Sequence, residues 1–118
     1  MAFKVAVASS DGKFINQHFG RAEDFYIFVL NETGRGSFRF LEQRSSTSPC
    51  SYQQHDDALL EATAVLLADC KVVLVNRIGT GARMVLASKN IIALEASEFI
   101  GDALIKVGRS AHILTITA

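Results

Sequence analysis

Cysteine and proline are scarce in this chain, and net charge is nil. The two cysteines, Cys50 and Cys70, are too few for a disulfide scaffold, and no cysteine–histidine spacing of a zinc site surrounds them. Twelve basic and twelve acidic residues cancel, which leaves no electrostatic reason to expect a nucleic acid or an anionic membrane as partner. No apolar run approaches the length of a membrane span. Met1-Ala2 leads straight into Phe3-Lys4-Val5-Ala6-Val7-Ala8 without a signal-peptide pattern. A cytoplasmic protein with reduced thiols is expected. Internal repeats and low-complexity tracts are missing as well.

Catalytic signatures are also missing. There is no Gly-x-Ser-x-Gly elbow, no Walker loop and no complete dinucleotide fingerprint. A two-metal nuclease would want carboxylates inside the first strand, and residues 3–8 hold none. Asp11 follows that strand, but an Asp beside Gly12 reads as a turn.

What is present suits a packed interior: 49% of the 118 residues are apolar, at the commonest size of one domain. The expected division is a single α/β domain over residues 1–108 and a C-terminal tail, 109–118. The tail contains Ile113-Leu114-Thr115-Ile116-Thr117 and His112, with no evident strand partner and no role for the histidine. Alternation predicts a strand at 3–8. Aromatic and β-branched residues predict strands at 24–30 and 37–43, with Phe38 and Phe40 on one face. The turn-rich segment 31–36 joins them as an antiparallel hairpin.

Residues 44–56, with the only proline, Pro49, form the longest loop. A helix follows at 57–68, with Leu59, Ala62, Val65 and Leu66 at helical spacing. Val72-Val73-Leu74-Val75 and Ile91-Ile92-Ala93-Leu94 read as strands buried on both faces of a parallel sheet. The helix at 81–89 has Asn90 as C-terminal cap. Ser97 caps a helix at 98–107, stopped by Gly108.

This order, βββαβαβα, implies a mixed sheet with right-handed crossovers in its later half. If the second strand neighbours the first, the first, third, fourth and fifth strands end on one edge. Four loops then gather there: the one carrying His18, and those at Cys50 to His55, Asn76 to Gly81, and Glu95 to Ser97. In open α/β sheets this carboxyl edge is where ligands bind.

His18 heads the candidates. It lies in Asn16-Gln17-His18-Phe19-Gly20, a strand-end loop where binding groups usually sit, and imidazole is the commonest protein metal ligand. The plainer reading is a ring bonded to a backbone carbonyl beside Phe19. Cys50 and His55 offer a thiol and an imidazole on one loop, suited to soft metals and iron–sulfur clusters; the plainer reading is a chance pair. Cys70 reads as a small buried cysteine. Arg77, Gly79 and Gly81 precede a helix, whose first amides with a nearby arginine form an anion site. Arg21 adds a cation beside His18.

The stretch from Val5-Ala6-Val7-Ala8-Ser9-Ser10-Asp11-Gly12 through Asn16-Gln17-His18-Phe19-Gly20 resembles the dinitrogenase iron–molybdenum cofactor-binding family, whose branches include NifX, the NafY core and the NifB C-terminal domain. The blocks Leu67-Ala68-Asp69-Cys70 and Arg77-Ile78-Gly79 look most like the last of these, and the likeness runs over about residues 3–107. The resemblance implies an RNase H-like α/β fold with a mixed five-stranded sheet. It implies non-catalytic binding of the iron–molybdenum cofactor or its iron–sulfur precursor during nitrogenase cofactor assembly. Nitrogenase or cofactor-assembly proteins would be the partners, and His18 and Cys50 the metal contacts. Cys50 matches an aromatic-Cys-Gly-Gly segment, but Ser51 and Tyr52 replace its glycines and Pro49 precedes it. Arg21 stands where some relatives carry a second histidine. Two other readings remain open. One is a protein-interaction or regulatory module that binds no metal; the other, ranked last, is a hydrolase or nuclease on the same fold.

Overall fold

The alternation in residues 2–8 dictates a strand covered on both sides. In the computed structural model, which describes residues 2–31, 38–45 and 57–109, Phe3, Val5 and Val7 pack into one buried cluster and Ala6 and Ala8 into another. Strand β1 (Ala2–Ala8) is followed by β2 (Asp24–Asn31), β3 (Phe38–Ser45), α1 (Asp57–Leu66), β4 (Val72–Val75), α2 (Thr80–Ser88), β5 (Ile92–Glu95) and α3 (Ile100–Arg109). A single 3₁₀ turn, Phe19–Arg21, precedes β2.

The sheet order is β3-β2-β1-β4-β5. The pairs β1–β2 and β2–β3 are antiparallel, whereas β1–β4 and β4–β5 are parallel. This is the RNase H-like arrangement expected, with the early hairpin beside β1 and three flanking helices. Helices α1 and α2 cover one face, where Leu60, Ala64, Leu67, Ala82 and Leu86 meet Ala6, Ala8, Phe25, Ile27, Val73 and Val75. Helix α3 covers the other with Ile100, Ala103, Leu104 and Val107 against Val5, Val7, Phe28, Leu30, Val72 and Leu74. No helix among the described residues is long and apolar enough to cross a membrane.

Four local expectations need correction. The buried stripe of α1 is Leu60, Thr63, Ala64 and Leu67, whereas Ala62 and Val65 are exposed. The helix is apolar nearly all round, so periodicity alone does not fix its rotation; contact with the sheet does. β3 runs to Ser45 because Leu41 is an extra residue: Ile27 pairs with Glu42 but Phe28 with Phe40. That bulge leaves Phe38 and Phe40 both beside Phe28 and turns Leu41 toward the opposite cluster. Ser97 does not cap α3. Glu98 and Phe99 are instead drawn into pairing with the segment after β1, where Ile15 N–H donates to Glu98 O and Ile100 N–H to Lys13 O at 3.0 and 2.8 Å. The helix therefore starts at Ile100 and passes through Gly108 to Arg109.

Asn90 does terminate α2, in the left-handed region at φ 62°. Asn90 N–H donates to Ala87 O and Ile91 N–H to Leu86 O, both at 3.0 Å, the paired bonds of a Schellman end. The loop holding Pro49, Cys50 and His55 lies outside the described residues, as do most of the hairpin turn and the tail with His112.

At the edge opposite the gathered loops, one acid ties three elements. Asp69 accepts Arg44 Nη1 and Nη2 at 2.6 and 2.8 Å and Lys4 Nζ at 2.8 Å, while Arg44 Nη1 also reaches Leu66 O at 3.0 Å, at the end of α1. The Arg44 hydrogen bonds hold the Asp69 carboxyl well below the usual carboxylate range. Asp69 is 43% exposed, so solvent screening limits the gain to about 0.5–1 kcal/mol. A depressed folded-state pKa stabilises above the unfolded value, about 3.9, and this is lost as pH falls toward the folded value. Wild type should therefore melt above Asp69→Asn at neutral pH. The gap should close as pH drops below about 4 in parallel thermal melts. A gap that is constant with pH would show that charge pairing is not its source.

Candidate functional site

Ser9 and Asp11 build the turn that leaves β1. Asp11 Oδ1 accepts the amides of Lys13 and Phe14 at 2.8 and 3.1 Å, and these bonds pull its carboxyl below the ordinary range. Ser9 Oγ, buried, accepts Gly12 N–H at 3.0 Å and lies 2.7 Å from Phe14 O. Gly12 has φ 73°, a torsion that favours glycine, and a Cβ there would meet the Tyr26 ring at 3.1 Å, so the ring would have to give by a few tenths of an ångström. The Asp11 carboxylate is thus engaged in the turn, as the sequence led us to expect.

After the turn the chain folds back against α3. Ile15 is fully buried, and Phe14 meets Phe99 edge-on at 5.2 Å. The next residues rejoin the sheet line beside the end of β4. Asn76 N–H donates to Gln17 O and Phe19 N–H to Arg77 O, both at 2.9 Å, making His18 and Arg77 partners in a parallel bridge. Asn76 Nδ2 adds a bond to Ile15 O at 3.2 Å. Phe19 is buried against Phe25, with ring centroids 6.0 Å apart.

The residue between these anchors behaves differently. The His18 side chain is exposed, makes no capping hydrogen bond and has no partner among the described residues. Among the described residues, then, no backbone carbonyl accepts from the ring in the way the plainer reading expects. Arg77, its bridge partner, and Arg21, at the end of the 3₁₀ turn, are also exposed. Neither pairs with an acid within salt-bridge distance among the described residues. Arg21 lines a polar cleft of about 310 Å³ with Ser9, Ser10, Gln17, Glu23 and Asp24, on the β2 side of the His18 segment.

On the β4 side, Gly79 precedes α2 without a side-chain cap. A Cβ built at Gly79 or Gly81 meets nothing within 4 Å. The first amides of α2, at Thr80, Gly81 and Ala82, have no hydrogen-bond partner among the described residues, and helix polarity there favours an anion. Three of the four expected loops meet: the His18 segment bonds Asn76 and Arg77, and Ile78 N–H donates to Glu95 Oε2 at 3.0 Å. The fourth loop, with Cys50 and His55, lies outside the described residues. Among the described residues no three His, Cys, Asp or Glu side chains cluster to hold a metal ion. One imidazole, two guanidiniums with no acid partner among the described residues and a row of helix amides suit a large preassembled anion better than a bare cation.

Cys70 is far from this edge, at the entry to β4, and is a buried free thiol that donates to Asp69 Oδ1 at 3.7 Å. Burial pushes its thiol up to about 12. Glu95 was missed as a site residue in the sequence. Only its position was legible: it is the charged residue that ends an otherwise apolar strand, on the edge where the loops gather.

Sheet order, strand directions and this open carboxyl edge define an RNase H-like α/β domain that exposes an imidazole whose bridge partner is Arg77. The chain belongs to the dinitrogenase iron–molybdenum cofactor family, whose sequence pattern matches residues 1–110. It is similar to the FeMo cofactor biosynthesis protein NifB of Frankia alni, 35% identical over 107 residues, covering 88% of this chain and 20% of that protein. The NifB of Chlorobaculum tepidum is 33% identical over 100 residues, covering 85% and 22%. The chain thus spans about a fifth of the curated relatives it matches. Among solved structures, PH0822 shares the fold at TM-score 0.67 and 21% identity, covering 89% of this chain and 88% of that one. A putative dinitrogenase from Methanocaldococcus jannaschii does so at TM-score 0.55 and 14% identity, covering 91% and 88%.

Proposed function

We propose that this chain is a non-catalytic binding and carrier domain for an anionic iron–sulfur cluster, the iron–molybdenum cofactor or its precursor, in nitrogenase cofactor assembly. The supporting observation is the exposed His18 ring, which has no bonding partner among the described residues, is bracketed by two main-chain bonds and has Arg77 as its bridge partner. His18 supplies an imidazole ligand. Arg21, Arg77 and the amides near Gly79 and Gly81 offset the negative charge of the cluster. To Cys50 we assign a thiolate and to His55 a further polar contact, both outside the described residues. Few protein ligands suit a carrier, since the cargo has to leave. Its partners in the cytoplasm are then cofactor-assembly proteins or nitrogenase itself, a setting that the names of the NifB relatives support.

Anaerobic gel filtration with the isolated cofactor or its iron–sulfur precursor tests this. Iron should coelute with wild type. His18→Ala should retain at least about tenfold less, since losing a ligand costs no less than losing an outer-shell partner. Equal retention by both proteins would remove His18 from the site. A second reading draws on Phe38 and Phe40, 39% and 53% exposed on the edge strand β3, as the contact surface of a metal-free interaction module. Partner capture that survives chelation and His18→Ala would favour it.

A further inference from the structure

We propose that Glu95 is a positioning residue for His18, acting through a single peptide plane. β5 ends in this carboxylate at the open edge. Glu95 Oε2 accepts Ile78 N–H at 3.0 Å, and its Oε1 lies 4.0 Å from Arg83 Nη2. Arg83 is itself fixed, donating Nη1 to Ala93 O at 2.8 Å. The nitrogen that Glu95 holds belongs to the peptide between Arg77 and Ile78. The carbonyl of the same peptide is Arg77 O, which accepts Phe19 N–H at 2.9 Å.

A peptide unit is planar and stiff, so holding its N–H end fixes the direction of its C=O end. A hydrogen bond at one end also polarises the group toward a stronger bond at the other. Glu95 therefore orients the acceptor that anchors the residue next to His18, from two strands away. A carboxylate here adds negative charge to a rim that otherwise suits an anion, and the guanidinium of Arg83 only partly offsets it. Its role is geometric. The inference rests on the reading of His18 as the cluster ligand.

The test compares wild type, Glu95→Ala and Glu95→Gln by two-dimensional NMR without cluster, then by cluster binding. In Glu95→Ala the Ile78 and Phe19 amides should shift and exchange faster, the His18 ring signals should move, and cluster affinity should fall about three- to tenfold, the effect of one hydrogen bond. Glu95→Gln keeps an oxygen acceptor for Ile78 N–H and should restore all of these. Unchanged Phe19 and His18 signals in Glu95→Ala, a uniform loss of protection across every strand, or no rescue by Glu95→Gln would overturn the proposal. The NMR arm needs no cluster. Absence of binding by wild type would therefore sink the carrier reading without deciding the link from Glu95 to Phe19.

Discussion

Phe19→Ala should cost about 3–5 kcal/mol of folding stability, the range for truncating a buried aromatic. Phe19 is 1% exposed and packs in the cluster beneath α1 and α2, against Phe25. Its removal forfeits the transfer energy of the ring and leaves a void between the sheet and the 3₁₀ turn. Against a total of about 5–15 kcal/mol for a domain of this size, the variant would sit near its unfolding threshold. Urea denaturation of both proteins checks this. Phe19→Leu, which refills most of the volume, should recover more than half of the loss. A change below about 1 kcal/mol in Phe19→Ala would mean that the site collapses without strain. The connection to the rim is direct, because the ring removed belongs to the residue whose N–H anchors the His18 segment to Arg77 O.

Cys70 should resist alkylation about a thousandfold relative to an unhindered thiol. Only the thiolate reacts, and burial moves the thiol from 9.0 to about 12, so at mildly alkaline pH its reactive fraction falls by roughly the same factor. With 3% exposure the reagent also meets little of the residue. Cys50→Ser leaves Cys70 as the single thiol for the measurement. Iodoacetamide should label it in urea at once and in native buffer only as fast as the protein opens. Stoichiometric native labelling within minutes would contradict the burial. A cysteine so held contributes packing beneath α1, and any thiolate for a cluster has to come from Cys50.

The sheet was legible because its strands carry unambiguous periods. Val72-Val73-Leu74-Val75 admits only a doubly covered strand, and the alternation of Phe3, Val5 and Val7 fixes which side chains share a face. Connectivity then gave the edge on which His18 and Arg77 meet. The misread parts share one physical cause: local pattern was overruled by a distant partner. The rotation of α1 depends on the sheet, since its apolar residues circle the helix. The start of α3 depends on Lys13 and Ile15, whose pairing with Glu98 and Ile100 is invisible at the level of capping residues. The contribution of Glu95 was hidden for the same reason, because its acceptor role exists only once β5 lies beside β4.

The return of residues 17–19 to the sheet line has a consequence for handover. His18 is mounted on a stiff mast rather than on a swinging arm, since main-chain bonds on both sides hold it to the end of β4. In the proposed role, little backbone ordering entropy is then lost when cargo docks, which raises affinity without adding contacts. The same rigidity forbids release by loop opening. In the proposed role a recipient must displace the imidazole by offering a better ligand at an unmoving post.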